Sequence, residues 1–295
     1  MIVLMTNLYS SLKYFLTVVH IFANWRYKPI PIPKEPAIVP EDVSVIIPTY
    51  RANLQDLRKT IMCHLRNGCR HIYIAATVEE YNSIKDMTTS LQYPSAVIEV
   101  FASDRPSKRQ QVRKAVESIP KSRKKTHKAY ALADDDITFG DKTYLWALAP
   151  LEDEEVWGVA TWQRAERLTT GLVLNQCINW TFATYLQRRV FENLATLSID
   201  GSILCQSGRF GIFPARLIQN PEFLDGYTSE RWNGKMLYAD DDNYVTRYIL
   251  RHGAKIEIQC HDDCMVTTKF GASFGQLKRF SRWQMSNFRS NWTTL

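Results

Sequence analysis

No two cysteines in this chain form a Cys-x-x-Cys pair. The six, Cys63, Cys69, Cys177, Cys205, Cys260 and Cys264, are scattered. That pattern excludes a disulfide-built scaffold and fits a reducing compartment. The stretch from Cys260 to Cys264 contains His261, Asp262 and Asp263, but a lone Cys-x-x-x-Cys is a weak zinc signal. Long apolar runs are missing too. The best N-terminal stretch, Tyr14 to Ala23, is shorter than the roughly 20 residues a spanning helix needs. The N-terminus also lacks the basic start and small-residue cleavage site of a signal peptide. An interfacial helix, or one marginal span backed by Arg26 and Lys28, remains open. Acid is scarce in one place. Between Arg105 and Lys128 only Glu117 opposes ten Lys or Arg. This basic block has no interleaved aromatics and no nucleic-acid motif, so nucleic acid is not expected as a partner. It suits a phosphate-bearing ligand held with a metal, the alternative being a solvated helix face and loop. No internal repeat is visible.

What is present is carboxylate. The tetrapeptide Ala-Asp-Asp-Asp occurs twice, at 133–136 and at 239–242. Three adjacent carboxylates repel one another, and a divalent cation, a cationic ligand or a shifted pKa has to offset that.

Hydropathy divides the chain into an apolar segment (1–28), a proline-rich linker (29–42) and a globular body (43–295). In the body, Val43 to Tyr50 reads as a buried strand. A helix capped by Asn53 runs to about Asn67, with Gly68 at its end. Strands at His71 to Thr77, Ala96 to Ala102 and Ala129 to Ala133 alternate with helices near Glu79 to Leu91 and Ser107 to Ile119. The second half is more mixed. It holds a strand at Val156 to Trp162, a long helix at Leu172 to Leu194 and a strand-and-turn region at Ile203 to Phe213. A helix at Asp242 to His252, a strand at Lys255 to Gln259 and a final helix at Phe274 to Asn291 follow. Alternating strands and helices imply an α/β fold with a mostly parallel sheet. Ligands in such sheets bind beyond the carboxyl ends of the strands, where Tyr50, Thr77 and Asp134 fall.

The two Asp clusters therefore have different contexts. Asp134-x-Asp136 follows a strand, where two carboxylates can share one hard cation, Mg²⁺ or Mn²⁺, that bridges to a diphosphate. Lys108, Arg109 and Lys128 are candidates to neutralise the rest of it. A turn cluster is the alternative. Asp241 and Asp242 open a helix, whose dipole favours the anionic form, and a carboxylate beside an acceptor hydroxyl is a candidate general base. An over-supplied N-cap is the alternative. Arg279 and Arg282 share one helix face and suit a diphosphate leaving group, with Trp283 a flat surface for a sugar. The alternative is an amphipathic surface helix with one core Trp.

Asp-x-Asp after a strand, a later Asp-Asp at a helix start and then Arg-x-x-Arg-Trp resemble the family-two inverting glycosyltransferases. The nearest flavour is the processive fungal polysaccharide synthase or hyaluronan-synthase-like group. The resemblance spans Val43 to Trp283 and implies a GT-A fold. On that resemblance, Pro48, Thr49 and Tyr50 cradle the nucleoside, and Glu79 falls near the acidic position that reads uracil. Lys108 and Arg109 look like the Lys-Arg pair at the donor. Asp134 and Asp136 match the metal pair. Asp242, with Asp241 before it, matches the catalytic base, and Ser207 and Gly208 resemble a loop near the acceptor. Arg279 and Arg282 match the donor-diphosphate contacts, and Trp283 the acceptor platform. Asn243 stands where the family has Arg, and Arg279 where cellulose synthases have Gln. Polymer-extruding members carry transmembrane helices after the last motif and this sequence has none there, so processivity stays open. The resemblance implies sugar transfer from a UDP-sugar to a glycan acceptor in cell-surface polysaccharide synthesis. The protein is expected at a membrane through its N-terminal segment, with the catalytic domain cytoplasmic. Two alternatives are a non-catalytic relative and a metal-dependent nucleotidyltransferase.

Overall fold

The computed structural model describes residues 2–271 and 275–294, without the side chains of 2–10, 275–279, 291, 293 and 294. The chain opens with helix α1 (Ile2–Arg26), followed by β1 (Val43–Pro48), α2 (Leu54–Arg66), β2 (His71–Thr77) and α3 (Tyr81–Thr89). Next come β3 (Val97–Ser103), α4 (Lys108–Ser118), the short α5 (Lys121–Lys124), β4 (Ala129–Ala133) and β5 (Ile137–Phe139). Then follow α6 (Thr143–Leu148), β6 (Val156–Ala165), α7 (Val173–Asp200), β7 (Phe210–Pro214), α8 (Ala215–Ile218) and α9 (Pro221–Ser229). A small hairpin of β8 (Arg231–Trp232) and β9 (Lys235–Met236) precedes α10 (Asp241–Arg251), β10 (Lys255–Gln259), β11 (Met265–Thr268) and α11 (Gly275–Thr294).

The main sheet runs β3-β2-β1-β4-β7-β6-β11-β5, with β10 also on β6. β3, β2, β1 and β4 pair in parallel, and β7 lies antiparallel between β4 and β6. β6 is long enough to hold β10 along its first half and β11 along its second. The expected mixed, mostly parallel sheet flanked by helices is what forms. Strands buried on both faces read as unbroken apolar runs, and β1 is buried at all six positions. Its side chains alternate between two cores. Val45 and Ile47 join Leu57 and Ile61 of α2 on one face. Ile46 joins Val112 and Val116 of α4 on the other.

Elements not expected from sequence include β5, β11, α9 and the small hairpin. The linker expected to hold the N-terminal segment apart is instead strapped to the body. Gln259 bonds both the amide and the carbonyl of Ile30, at 3.0 and 2.8 Å. Lys128 donates to Ala37 O at 2.8 Å. Helix α1 packs along α7, with Asn24 donating to Phe191 O at 3.0 Å. Among the described residues no helix is long and apolar enough to cross a membrane.

Two core histidines tie stability to pH. His64 is fully buried, with Nδ1 2.8 Å from Tyr144 OH. Burial pushes its pKa from 6.5 down to about 3. His127, 2.5 Å from Ser44 Oγ, is pushed down to about 4 by burial, then by His71 and Arg123. Below pH 6.5 the unfolded chain takes up protons that the folded chain refuses, so folding free energy is lost as pH falls. For His64 that is ~2 kcal/mol by pH 5. Urea titrations at pH 7 and pH 5 should show the loss. His64→Gln should flatten the slope by about that amount, and an unchanged slope would count against this account.

Candidate active site

The clusters meet because β7 runs back along β4. Asp134 N donates to Arg209 O at 2.8 Å, extending the β4–β7 ladder by one bond. That bond sets Gly208 against the first cluster, and α10 brings the second cluster to the same place. A Cβ on Gly208 would stand 3.2 Å from Asp242 Cβ and 3.4 Å from both Asp241 Oδ2 and Lys108 Nζ. Any side chain here would have to push Asp242 and Lys108 back by a few tenths of an ångström, so glycine suits the close approach of this turn to the second cluster.

The first cluster divides its labour. Asp134 takes an ion pair from Lys108 at 2.6 Å. Asp135 turns inward, where Thr49 Oγ1 donates to its carboxylate and Thr60 Oγ1 to its carbonyl at 3.1 Å. Burial raises the Asp135 pKa to about 6; the Thr49 hydrogen bond opposes the shift and the Asp134 charge adds to it. Asp136 faces Thr268 of β11, whose hydroxyl lies 3.5 Å from Oδ1.

The second cluster divides likewise. Asp240 has left-handed backbone, φ +65°, and its carboxylate accepts from Ser286 and Arg289 of α11. Asp241 lies 3.4 Å from Lys108 Nζ. Asp242 Oδ1 accepts from the Asn243 amide at 2.9 Å. Burial raises the Asp242 pKa and the Asp241 charge adds to this, while Arg189 and Lys108 pull it down. A carboxylate held above its ordinary range is suited to taking a proton near neutral pH.

Lys108 is the hinge between clusters. It bonds Asp134, faces Asp241 and donates to Gly208 O at 2.6 Å. Burial works against its charge, but Asp134 and Asp241 outweigh it and hold the pKa above the ordinary lysine range. These groups line a cleft of ≈ 580 Å³ shared by Pro48, Tyr50, Arg209, Arg282 and Trp283. Trp283 stacks on Tyr185 at 5.7 Å, and Arg209 lies 5.3 Å from its ring centre.

Several sequence expectations are corrected by position. Arg109 does not face the cleft. It is 1% exposed and paired with Glu230 at 2.7 Å. Its guanidinium donates to the carbonyls of Tyr227, Ala239 and Asp240, each at 2.9 Å. Successive residues on a helix point about 100° apart, and with Lys108 facing the cleft Arg109 turns to Glu230 and the Ala239 carbonyl. Lys128 is at the other end of β4, paired with Asp42 at 2.9 Å. Thr49 is buried beneath the site rather than lining it. Glu79 is exposed outside the cleft lining, and its neighbour Glu80 turns inward to accept from the amides of Arg51 and Ala52. Ser207 Oγ accepts from Arg209 at 3.1 Å, beside the main cleft rather than in its lining. The Arg279 side chain lies outside the described residues. Cys260 and Cys264 join no metal cluster among the described residues, and His261 between them stacks on Trp146 at 3.7 Å.

Cleft residues that escaped sequence reading include Gln111, Arg189 and Arg209. Gln111 of α4 donates to Thr49 O at 2.6 Å and Ala75 O at 2.9 Å, fixing the ends of β1 and β2. Arg189 enters from α7, whose aromatic face reads as core. Arg209 sits in the turn before β7, and burial lowers its pKa despite Asp134.

The domain is a mixed, mostly parallel sheet flanked by helices, with a carboxylate-lined cleft at the strand ends. The family description "Glycosyltransferase like family 2" matches residues 40–286. A Type 2 glycosyltransferase of Pyricularia oryzae is 36% identical over 283 residues, 96% of this chain and 57% of the relative. One of Gibberella zeae is also 36% identical over 283 residues, covering 96% and 52%. An NDP-glycosyltransferase of Aspergillus luteorubrus is 28% identical over 269 residues, covering 90% and 64%. The chain belongs to glycosyltransferase family 2, and its fold is of the GT-A kind. It spans just over half the length of the two Type 2 relatives.

Proposed function

We propose that this chain is an inverting glycosyltransferase that moves a sugar from a UDP-sugar to a glycan hydroxyl with Mg²⁺ or Mn²⁺. The observation that carries the reading is the convergence of Asp134, Asp136, Asp241 and Asp242 on one cleft, with Lys108 between the clusters and Arg282 and Trp283 on the wall.

The donor set fits a shared cation. Among the described residues no three His, Cys, Asp or Glu could hold a metal by themselves. Asp134 and Asp136 offer two hard oxygen donors, which suits a small cation completed by phosphate oxygens and water. When bound, it neutralises the donor diphosphate and eases its departure. Asp242 takes the proton of the acceptor hydroxyl. That oxygen then bonds to the anomeric carbon as the bond from this carbon to the diphosphate oxygen breaks on the opposite face. Lys108 and Arg282 stabilise the negative charge that leaves with UDP. Trp283 supplies a flat face for the acceptor sugar, and Pro48 and Tyr50 wall the nucleoside end.

We extend the reading to synthesis of a cell-surface polysaccharide, with the body at the cytoplasmic face of a membrane. Helix α1 supports this by leaving Tyr14, Phe15, Phe22 and Trp25 more than half exposed, beside Arg26 and Lys28.

A panel of UDP-sugars with oligosaccharide acceptors tests the function. One member should release UDP, at least ~10-fold faster with Mg²⁺ or Mn²⁺ than with EDTA. Pyrophosphate release from UTP, with no UDP release from any sugar nucleotide, would assign nucleotidyl transfer instead.

A further inference from the structure

The second cluster carries one carboxylate more than the proposed chemistry uses. Asp242 is the base and Asp241 faces Lys108. Asp240 is left over, and its side chain does not cap the first turn of α10. It is nevertheless the most anchored of the three. Ser286 and Arg289 of α11 both donate to its carboxylate, which is only 9% exposed. Its carbonyl accepts from Arg109 at 2.9 Å and from the Tyr244 amide at 3.2 Å. A second tie runs in parallel. Arg109 pairs with Glu230, Glu230 with Arg247, and Arg247 Nη1 donates to Ser290 Oγ at 2.7 Å.

Ser286 and Ser290 lie one turn apart on α11, and both are buried. Ser286 Oγ also lies 2.9 Å from Arg282 O, a second acceptor within reach of its one proton. The anchored turns therefore follow directly on the turn that carries Arg282 and Trp283 into the cleft. We propose that Asp240 is a positioning residue, a latch that fixes α11 to the head of α10 and so sets Arg282 and Trp283 against the same carboxylates they work with. The assignment rests on the glycosyltransferase reading for its consequence, but the latch itself is a matter of packing. Its left-handed backbone suits a short polar side chain, so Asp240→Asn keeps the fold of the turn and removes the charge.

The test compares the full chain with Asp240→Asn, Arg289→Gln and the double variant. Hydrogen exchange is followed over α11 and transfer kinetics over the donor. Each single change should speed exchange of the α11 amides about 10-fold, with exchange in β1 and β4 unchanged. KM for the donor should rise about 10-fold while kcat changes less than about 3-fold. The double variant should lose clearly less than the two single losses multiplied together, since the Asp240–Arg289 ion pair is common to both. Arg289→Lys, which keeps the cation, should recover much of the loss. Unchanged α11 exchange, or effects that simply multiply in the double variant, would overturn the latch. If α11 exchange responds but the wild type transfers no sugar, the latch stands and the glycosyltransferase reading falls.

Discussion

Asp242→Asn is expected to lower kcat by ~10³-fold while nucleotide-sugar binding stays nearly unchanged. Asn is isosteric and can still accept from the Asn243 amide, so the start of α10 is kept. What disappears is the carboxylate assigned to take the acceptor proton. The pH profile carries a second signature. A base whose pKa is raised moves the acidic limb of the rate profile upward, because it must be ionised to act. The neighbouring Asp241 charge contributes to that rise. Asp241→Asn should therefore shift the acidic limb to lower pH with a far smaller loss of rate. Rate profiles in pH and donor titrations by calorimetry separate the two carboxylates. Loss of donor binding in Asp242→Asn with no specific defect in kcat would remove Asp242 from the role of base.

Arg109→Met is expected to cost ~3–5 kcal/mol of stability. The guanidinium is fully buried and holds three carbonyls and Glu230. Met fills some of the volume but satisfies none of them, and it leaves Glu230 with Arg247 alone. Tyr227 and Tyr244 also lose a cation near their rings, 5.5 and 5.6 Å away. Lys108→Met, one residue earlier, should instead strike activity and leave most of the stability intact. Its side chain is 24% exposed and its carboxylate partners line the open cleft, where solvent screens the charge left behind. Urea denaturation of both variants measures the contrast. A stability loss below ~1 kcal/mol in Arg109→Met, paired with lost donor binding, would return Arg109 to the donor site.

That contrast shows what a sequence can and cannot carry. β1, β2 and β4 are legible because strands buried on both faces must be apolar at every position. The first cluster is legible because it follows such a strand at the ligand-binding end of a parallel sheet. Asp242 is legible because helix starts concentrate acid. The phase of α4 is not: Lys108 and Arg109 are equally basic on paper, and only packing against Glu230 and the Ala239 carbonyl decides which is inward. Glu79 and Glu80 pose the same ambiguity at the end of β2. β5 and β11 are three and four residues long, and Thr138, Thr267 and Thr268 hide their apolar pattern. They exist because β6 extends far enough to pair with β11. Arg189 is hidden in a long aromatic helix, where nothing local marks one arginine as facing a carboxylate. Asp240 is hidden by its company, since three identical side chains give no hint that one holds a distant helix.

The stereochemistry of the product tests the account most directly. Asp242 acting as a base on an acceptor, with no covalent sugar–enzyme intermediate, requires a single displacement at the anomeric carbon. Proton NMR of the first product formed from an α-linked UDP-sugar should therefore show the coupling of a β-linkage. An α-linked first product would contradict it.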